Sequence, residues 1–214
     1  MNKVFARKQK DIERIVLQIF EDKSIINVGL SGGRSIIPII KSLMKVNLNR
    51  LKGLRFFLVD ERLAANFNQT HLLKNGFKEL LDIKKINKKQ LFFPKITGNF
   101  NKDLEACNKI AKNNSLDLVF LGVGEDCHIA SIFPKAKELE SENLASLVID
   151  SPKMPKERIT LTLKAFENAK KVLIFFGKEK RKALKNYENN YKNKKYPASF
   201  IKGKNIIIIT DIKR

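Results

Sequence analysis

The sequence predicts an α/β fold built on a mostly parallel sheet with helices on both faces. Three observations carry that expectation. Short continuous apolar runs, such as Leu54–Val59, Leu116–Leu121 and Val172–Phe176, have the unbroken character of strands buried on both sides. Between them lie stretches whose apolar residues recur at helical spacing. Polar, glycine-bearing clusters follow the apolar runs directly, where parallel sheets place their ligand-binding loops.

Taken in order, Ile12, Ile15, Val16, Ile19 and Phe20 give one apolar face to a helix over Asp11–Phe20. Ile25–Leu30 is a strand followed at once by Ser31-Gly32-Gly33, and Ile36–Met44 is a second helix. Leu54–Val59 is a strand that ends in Asp60-Glu61-Arg62. Leu72–Leu81 has a helical pattern, Gln90–Phe93 suits a short strand, and Leu104–Ala111 is helical again. Leu116–Leu121 runs into a loop holding Gly122, Gly124 and His128. Leu147–Ile149, Ile159–Leu163 and Val172–Phe176 are further strands, a Lys- and Asn-rich helix spans Lys178–Tyr191, and Ile206–Thr210 closes the series. No internal repeat or Pro/Gly/Ser linker interrupts the chain, so one domain over residues 1–214 is expected.

Composition narrows the class. With 214 residues, 43% of them hydrophobic, the chain can bury a sizeable core and is not of the disordered type. The 43 Lys+Arg against 22 Asp+Glu leave a formal charge of +21, which attracts anions. The lysines are scattered, with no arginine block and no zinc-finger spacing, so a basic enzyme for an anionic substrate is expected over a nucleic-acid binder. Two cysteines, Cys107 and Cys127, are too few for a disulfide framework and lack metal-ligand spacing. The first residues carry no apolar signal region, and the longest aliphatic run, Ile206–Ile209, is too short to span a bilayer. A cytoplasmic location and no membrane partner follow as expectations.

Several clusters can carry chemistry. Ser31-Gly32-Gly33-Arg34-Ser35 sits between a strand and a helix, where a glycine turn presents N–H groups to an anion, or is simply a tight connection. Asp60-Glu61-Arg62 offers a guanidinium fork for phosphate with acidic neighbours, or a solvated salt bridge. Gly122 to Ser131 brings together two glycines, Asp126 and His128. Imidazole is the usual base near neutral pH, and Asp126 can orient it or a water. Ser131 lacks a nucleophile-elbow context, and Cys127 is expected to be a bystander. Ser151-Pro152-Lys153-Met154-Pro155 is a stiffened loop that can direct Lys153 or Arg158 towards an anion. Lys180 follows Gly177 at a helix start.

In this order the clusters resemble the 6-phosphogluconolactonase family, from Leu30 to about Ser199. Leu30-Ser31-Gly32-Gly33 is similar to its Ser-Gly-Gly loop, and Val59-Asp60-Glu61-Arg62 to its Asp-Glu-Arg strand end. Gly122–Pro134 resembles its Gly-x-Gly-x-Asp-Gly-His-x-Ala-Ser-Leu-Phe-Pro segment. Ser151–Leu163 resembles its Ser-Pro-Lys run, and Gly177-Lys178-Glu179-Lys180 its Gly-x-x-Lys. The resemblance implies a Rossmann-like sheet and hydrolysis of a 6-phosphoglucono-lactone, with no cofactor and no metal. It makes His128 the base that activates water, with Asp126 beside it. The candidate substrate-binding set is Ser31, Gly32, Gly33, Arg34, Asp60, Arg62, Arg158 and Lys180. The expected assembly is a monomer or small homo-oligomer.

The rival readings are a glucosamine-6-phosphate deaminase or isomerase, and a basic nucleic-acid-binding protein on a reused fold. Ala130-Ser131-Ile132-Phe133-Pro134 and Glu61-Arg62 both differ from the deaminase pattern. Two departures from the lactonase pattern stand out. Cys127 occupies the place of the glycine before the histidine, at a cost on the order of 1 kcal/mol if φ is positive there. Ala64-Ala65 and Thr70-His71 replace the usual residues after Arg62, which makes His71 a candidate rim residue, although an exposed loop histidine is the preferred reading.

Overall fold

Seven strands, most of them the apolar runs, pair into one parallel sheet. The computed structural model describes residues 2–6, 8–32, 37–64, 82, 85–92, 96–201 and 205–212. Its strands are β1 (Asn2–Phe5), β2 (Asn27–Leu30), β3 (Arg55–Leu58), β4 (Asp60–Arg62), β5 (Leu91–Phe92), β6 (Leu118–Gly122), β7 (Ala145–Val148), β8 (Arg158–Leu161), β9 (Lys171–Phe176) and β10 (Ile206–Thr210). Its α-helices are α1 (Gln9–Phe20), α2 (Ile37–Leu43), α3 (Leu48–Lys52), α4 (Phe100–Asn113), α5 (Leu163–Phe166) and α6 (Arg181–Asn189). The expected helix over Leu72–Leu81 lies outside the described residues.

The larger sheet has the order β1-β10-β9-β6-β2-β3-β5, with every pair parallel. Alternation along its strands divides the core. Leu118 and Phe120 face Ile12, Val16, Ile39 and Leu51, the apolar sides of α1, α2 and α3. Val119 and Leu121 face the opposite way, towards Cys107 of α4 and Ala183, Leu184 and Tyr187 of α6. Helix ends are fixed locally: Asn99 accepts from the Lys102 N–H at the start of α4, and the Lys8 N–H donates to Asp11 at the start of α1.

The smaller sheet corrects one expectation. Asp60-Glu61-Arg62 is not a loop after a strand but the strand β4, antiparallel to β8, which in turn pairs antiparallel with β7. The chain changes sheets at Val59, whose N–H donates to Leu30 O at 3.1 Å and whose carbonyl accepts from Leu161 N at 2.7 Å. Three polar residues have no apolar alternation to announce a strand; only the long-range partner creates it. β1 and α3 were not foreseen either, because Asn2–Phe5 and Leu48–Lys52 are too short and mixed to show a period.

At the opposite end of the sheet, Asp117 ties β6 to β2. Its Oδ2 accepts from the N–H groups of Ile26 and Asn27, each at 2.9 Å. Burial works against its ionisation, but these two amides and Lys170 outweigh it and hold the carboxyl below the usual range. Replacement by alanine removes the shared acceptor of two backbone donors, one exposed at Ile26 and one half-buried at Asn27. Asp117→Ala is expected to lower stability by about 1–3 kcal/mol, read as a shift in the urea midpoint at unchanged m-value.

Candidate active site

The strand order reverses between β2 and β6: β3 lies on one side of β2, while β6 and then β9 lie on the other. A crevice opens at the carboxyl ends of such strands. Ser31, just after β2, closes its base, with its N–H donating to Phe120 O and its Oγ accepting from Gly122 N at 3.2 Å. Above it lies a cleft of about 850 Å³. Its lining includes Ser31, Gly32, Asp60, Arg62, His128, Arg158 and Lys180, so residues separated by up to 149 positions converge there. Gly33 and Arg34, also expected to bind substrate, and His71 lie outside the described residues.

The segment after β6 folds back on itself. Val123 bridges Ile129, Gly124 N donates to His128 O at 2.9 Å, and Cys127 N donates to Gly124 O at 3.0 Å. This turn sets His128 Nδ1 2.5 Å from Asp126 Oδ1. With Nδ1–H directed at the carboxylate, Nε2 is left as the proton acceptor. Burial opposes the charge on Asp126, yet the hydrogen bond and charge of the imidazole, with Lys153 adding to them, hold it well below the carboxylate range. Asp126 is therefore an ionised orienting group throughout the neutral range.

Gly124 makes this geometry possible. A Cβ there would stand 2.0 Å from His128 Nδ1 and 2.6 Å from Asp126 Oδ1, so no other residue leaves the pair in place. Cys127 takes φ +64° and Ala130 φ +50°, both in the left-handed region that side chains disfavour. The backbone thus favours glycine at the position before the histidine, and Cys127 adopts the conformation at a cost. Its side chain is fully buried, donating from Sγ to Ala183 O at 3.3 Å. Burial, with the Asp126 charge, pushes the thiol up to about 11, which removes it as a nucleophile.

The smaller sheet supplies the cationic wall. Arg62 and Arg158 are direct cross-strand partners on β4 and β8. Like charges opposite one another repel, and an anion in the cleft relieves the repulsion. Burial and then Arg62 push Arg158 below its ordinary range, with Asp60 opposing them. Asp60 is itself buried and accepts from Ser131 Oγ at 2.8 Å, which ties β4 to the histidine segment. Ser131 is fully buried, consistent with a structural tie and not a nucleophile. Lys180 reaches over the cleft from the start of α6, its Nζ 3.0 Å from Glu125 Oε1.

Sequence reasoning missed Phe133, whose ring packs against His128 with centroids 4.8 Å apart, and Glu125, the partner of Lys180. It also missed Lys8, Gln9 and Asp211 at the far end of the cleft. The aromatic after Ala-Ser-Ile was visible as a motif residue, but its ring contact was not.

The family profile described as glucosamine-6-phosphate isomerases/6-phosphogluconolactonase matches residues 2–209. The chain belongs to this family. It is 34% identical over 202 residues to the 6-phosphogluconolactonase of Borreliella burgdorferi, covering 88% of this chain and 84% of that one. It is 32% identical over 200 residues to the enzyme of the same name from Thermotoga maritima, covering 87% and 84%. The crystal structure of a T. maritima 6-phosphogluconolactonase superposes with a TM-score of 0.81 at 25% identity, covering 98% of both chains. A monomeric glucosamine-6-phosphate deaminase matches with a TM-score of 0.80 at 14% identity, over 98% of this chain and 97% of that one. The fold alone therefore does not separate the two activities.

Two outcomes test the turn. Gly124→Ala forces the imidazole aside and is expected to cut kcat roughly a hundredfold, measured in a steady-state assay. Cys127→Gly is expected to be about 1 kcal/mol more stable than Cys127→Ala in denaturant titrations, because both lose the thiol but only glycine releases the positive-φ strain.

Proposed function

We propose that this enzyme hydrolyses 6-phospho-D-glucono-1,5-lactone to 6-phospho-D-gluconate, the step of the oxidative pentose phosphate pathway, with residues 1–214 acting as one domain. The observation that carries the reading is the Asp126–His128 pair opening onto a cleft lined by Arg62, Arg158 and Lys180. Lactone hydrolysis needs a proton acceptor for water and positive charge for the oxyanion and a dianionic phosphate.

In this mechanism His128 Nε2 removes a proton from water as its oxygen attacks the lactone carbonyl. The tetrahedral oxyanion collapses, the ring C–O bond breaks, and the imidazolium returns the proton to the departing ring oxygen. Asp126 holds the tautomer that leaves Nε2 free and stabilises the imidazolium that forms. Ser31 and Gly32 with Arg62 and Lys180 surround the substrate's anionic groups, and Asp60 keeps the arginine wall in place. Among the described residues, no three His, Cys, Asp or Glu side chains form a group that can hold a metal ion. No described helix is long and apolar enough to cross a membrane. A cytoplasmic location suits the two free, buried cysteines.

The decisive assay follows 6-phosphogluconate release from the lactone above its spontaneous hydrolysis. Activity is expected for the wild type, and ammonia release from glucosamine 6-phosphate is not; the reverse result overturns the reading. His128→Ala is expected to lower kcat by roughly 10²–10⁴ with the fold retained. Because the pair holds Asp126 far below its ordinary range, its carboxylate is present above the unfolded-state pKa and its stabilising contribution is lost only as pH falls through the depressed value. This contribution is therefore expected to be intact from pH 5 to 7, so the fold is retained across that range, which circular dichroism at each pH checks.

A further inference from the structure

We propose that Arg158, besides lining the cleft, is a positioning residue for the base, holding the His128 imidazole through Phe133. The inference rests on the lactonase reading for its kinetic consequence, but its structural content is independent of it. Arg158 lies on the middle strand of the smaller sheet, flanked by Arg62 on β4 and Val148 on β7. It is only 3% exposed, an expensive place for a guanidinium unless its donors are satisfied. Two of its three nitrogens are held by protein. Nε donates to Pro155 O at 3.1 Å, and Nη2 to Lys153 O at 2.7 Å and Met154 O at 3.5 Å.

The face of the guanidinium has a second use. Its carbon stands 5.4 Å from the centre of the Phe133 ring, a cation–π arrangement. The same ring lies 4.8 Å from the imidazole of His128, tilted by 33°. Guanidinium, phenyl and imidazole thus form one layer, with the imidazole held at its edge by Asp126 and on its face by Phe133. Phe133 is itself buried, so the layer has no room to slide. Packing alone explains an aromatic at this position; it does not explain a buried cation against it whose Nε and Nη2 bind the carbonyls of one loop.

That loop is the second arm of the arrangement. Ser151 Oγ donates to Lys153 O and accepts from Lys153 N, and Ser151 N donates to Lys156 O. Arg158 closes the turn by binding three of its carbonyls. Ser151 and Pro152 share a cavity wall with Asp126 and Phe133, so the loop stands directly behind the catalytic pair. The positive charge of Lys153 there adds to the forces that keep Asp126 ionised. One arginine therefore secures both the ring behind the base and the loop behind its carboxylate. A base needs its acceptor atom placed within a fraction of an ångström, and a two-residue Asp–His pair on a glycine-rich turn does not fix the ring plane unaided.

The test uses the substrate-free protein and the assay together. The chain has two histidines, His71 and His128, so the His128 Cε1–H signal is assigned by comparison with His71→Asn. Phe133→Leu keeps an apolar side chain but removes the ring current, and is expected to move that signal downfield and lower kcat roughly ten- to hundredfold with KM little changed. Arg158→Lys keeps the charge but loses the planar fork, and is expected to perturb the same signal and kcat in the same direction. The double variant is expected to be scarcely worse than the more damaged single variant, because both changes act through one layer. An Arg158→Lys protein that raises KM while leaving kcat and the His128 signal unchanged overturns the proposal in favour of a substrate ligand. Strictly additive losses in the double variant overturn it as well. If no lactone is hydrolysed by the wild type, the functional reading fails, while the His128 signal still decides whether Arg158 and Phe133 hold the ring.

Discussion

The pairing of β2 with β6 is the constraint on which the site depends. It is fixed at both ends, by Asp117 accepting from Ile26 and Asn27 at the start and by Ser31 accepting from Gly122 at the finish. Between these ties the register aligns Leu30 with Phe120, so the Ser31-Gly32 loop and the Gly122–Pro134 segment leave the sheet side by side. The glycine loop and the Asp126–His128 pair are hung on those two exits. A slip of one residue would invert the faces of β6 and exchange Phe120 with Leu121 between the two cores.

The second organising feature is the transfer of the chain from the parallel sheet to the antiparallel one at Val59. This change of sheet turns what would be a loop into a strand and brings Arg62 opposite Arg158. A parallel sheet alone presents loops at one edge; the small sheet adds a wall that faces them. The wall concentrates positive charge where desolvation makes it costly, and there Arg158 is bound by backbone carbonyls. The net charge of +21 is then a surface property that steers anions generally, while these particular cations do the local work.

Strain is spent in the same small region. Cys127 and Ala130 flank His128 in left-handed conformations, and Gly124 yields its Cβ volume to the imidazole. A turn this tight is what lets Asp126 and His128, two positions apart, meet edge to edge at 2.5 Å. The buried Cys127 side chain, anchored to α6 through Ala183, compensates with packing for the conformation it is forced to take.

Much of this was legible in the linear chain. Continuous apolar runs marked β2, β3, β6, β9 and β10, since strands buried on both faces need no polar alternation, and helical spacing marked α1, α4 and α6. Motif order placed His128 with Asp126 and gathered Ser31, Gly32, Arg62, Arg158 and Lys180 into one expected site, and the cleft brings together each of those residues that lines it. What the chain could not disclose is pairing between distant segments. The strand character of Asp60–Arg62, the Ser131–Asp60 tie, the partnership of Lys180 with Glu125 and the layer of Arg158, Phe133 and His128 all arise from contacts across the fold. Residue types and local periodicity are properties of neighbours in sequence, so the sequence by itself determined the fold class and the family. The direction in which each donor points depends on which strands end up adjacent, and that is decided only when the sheets assemble.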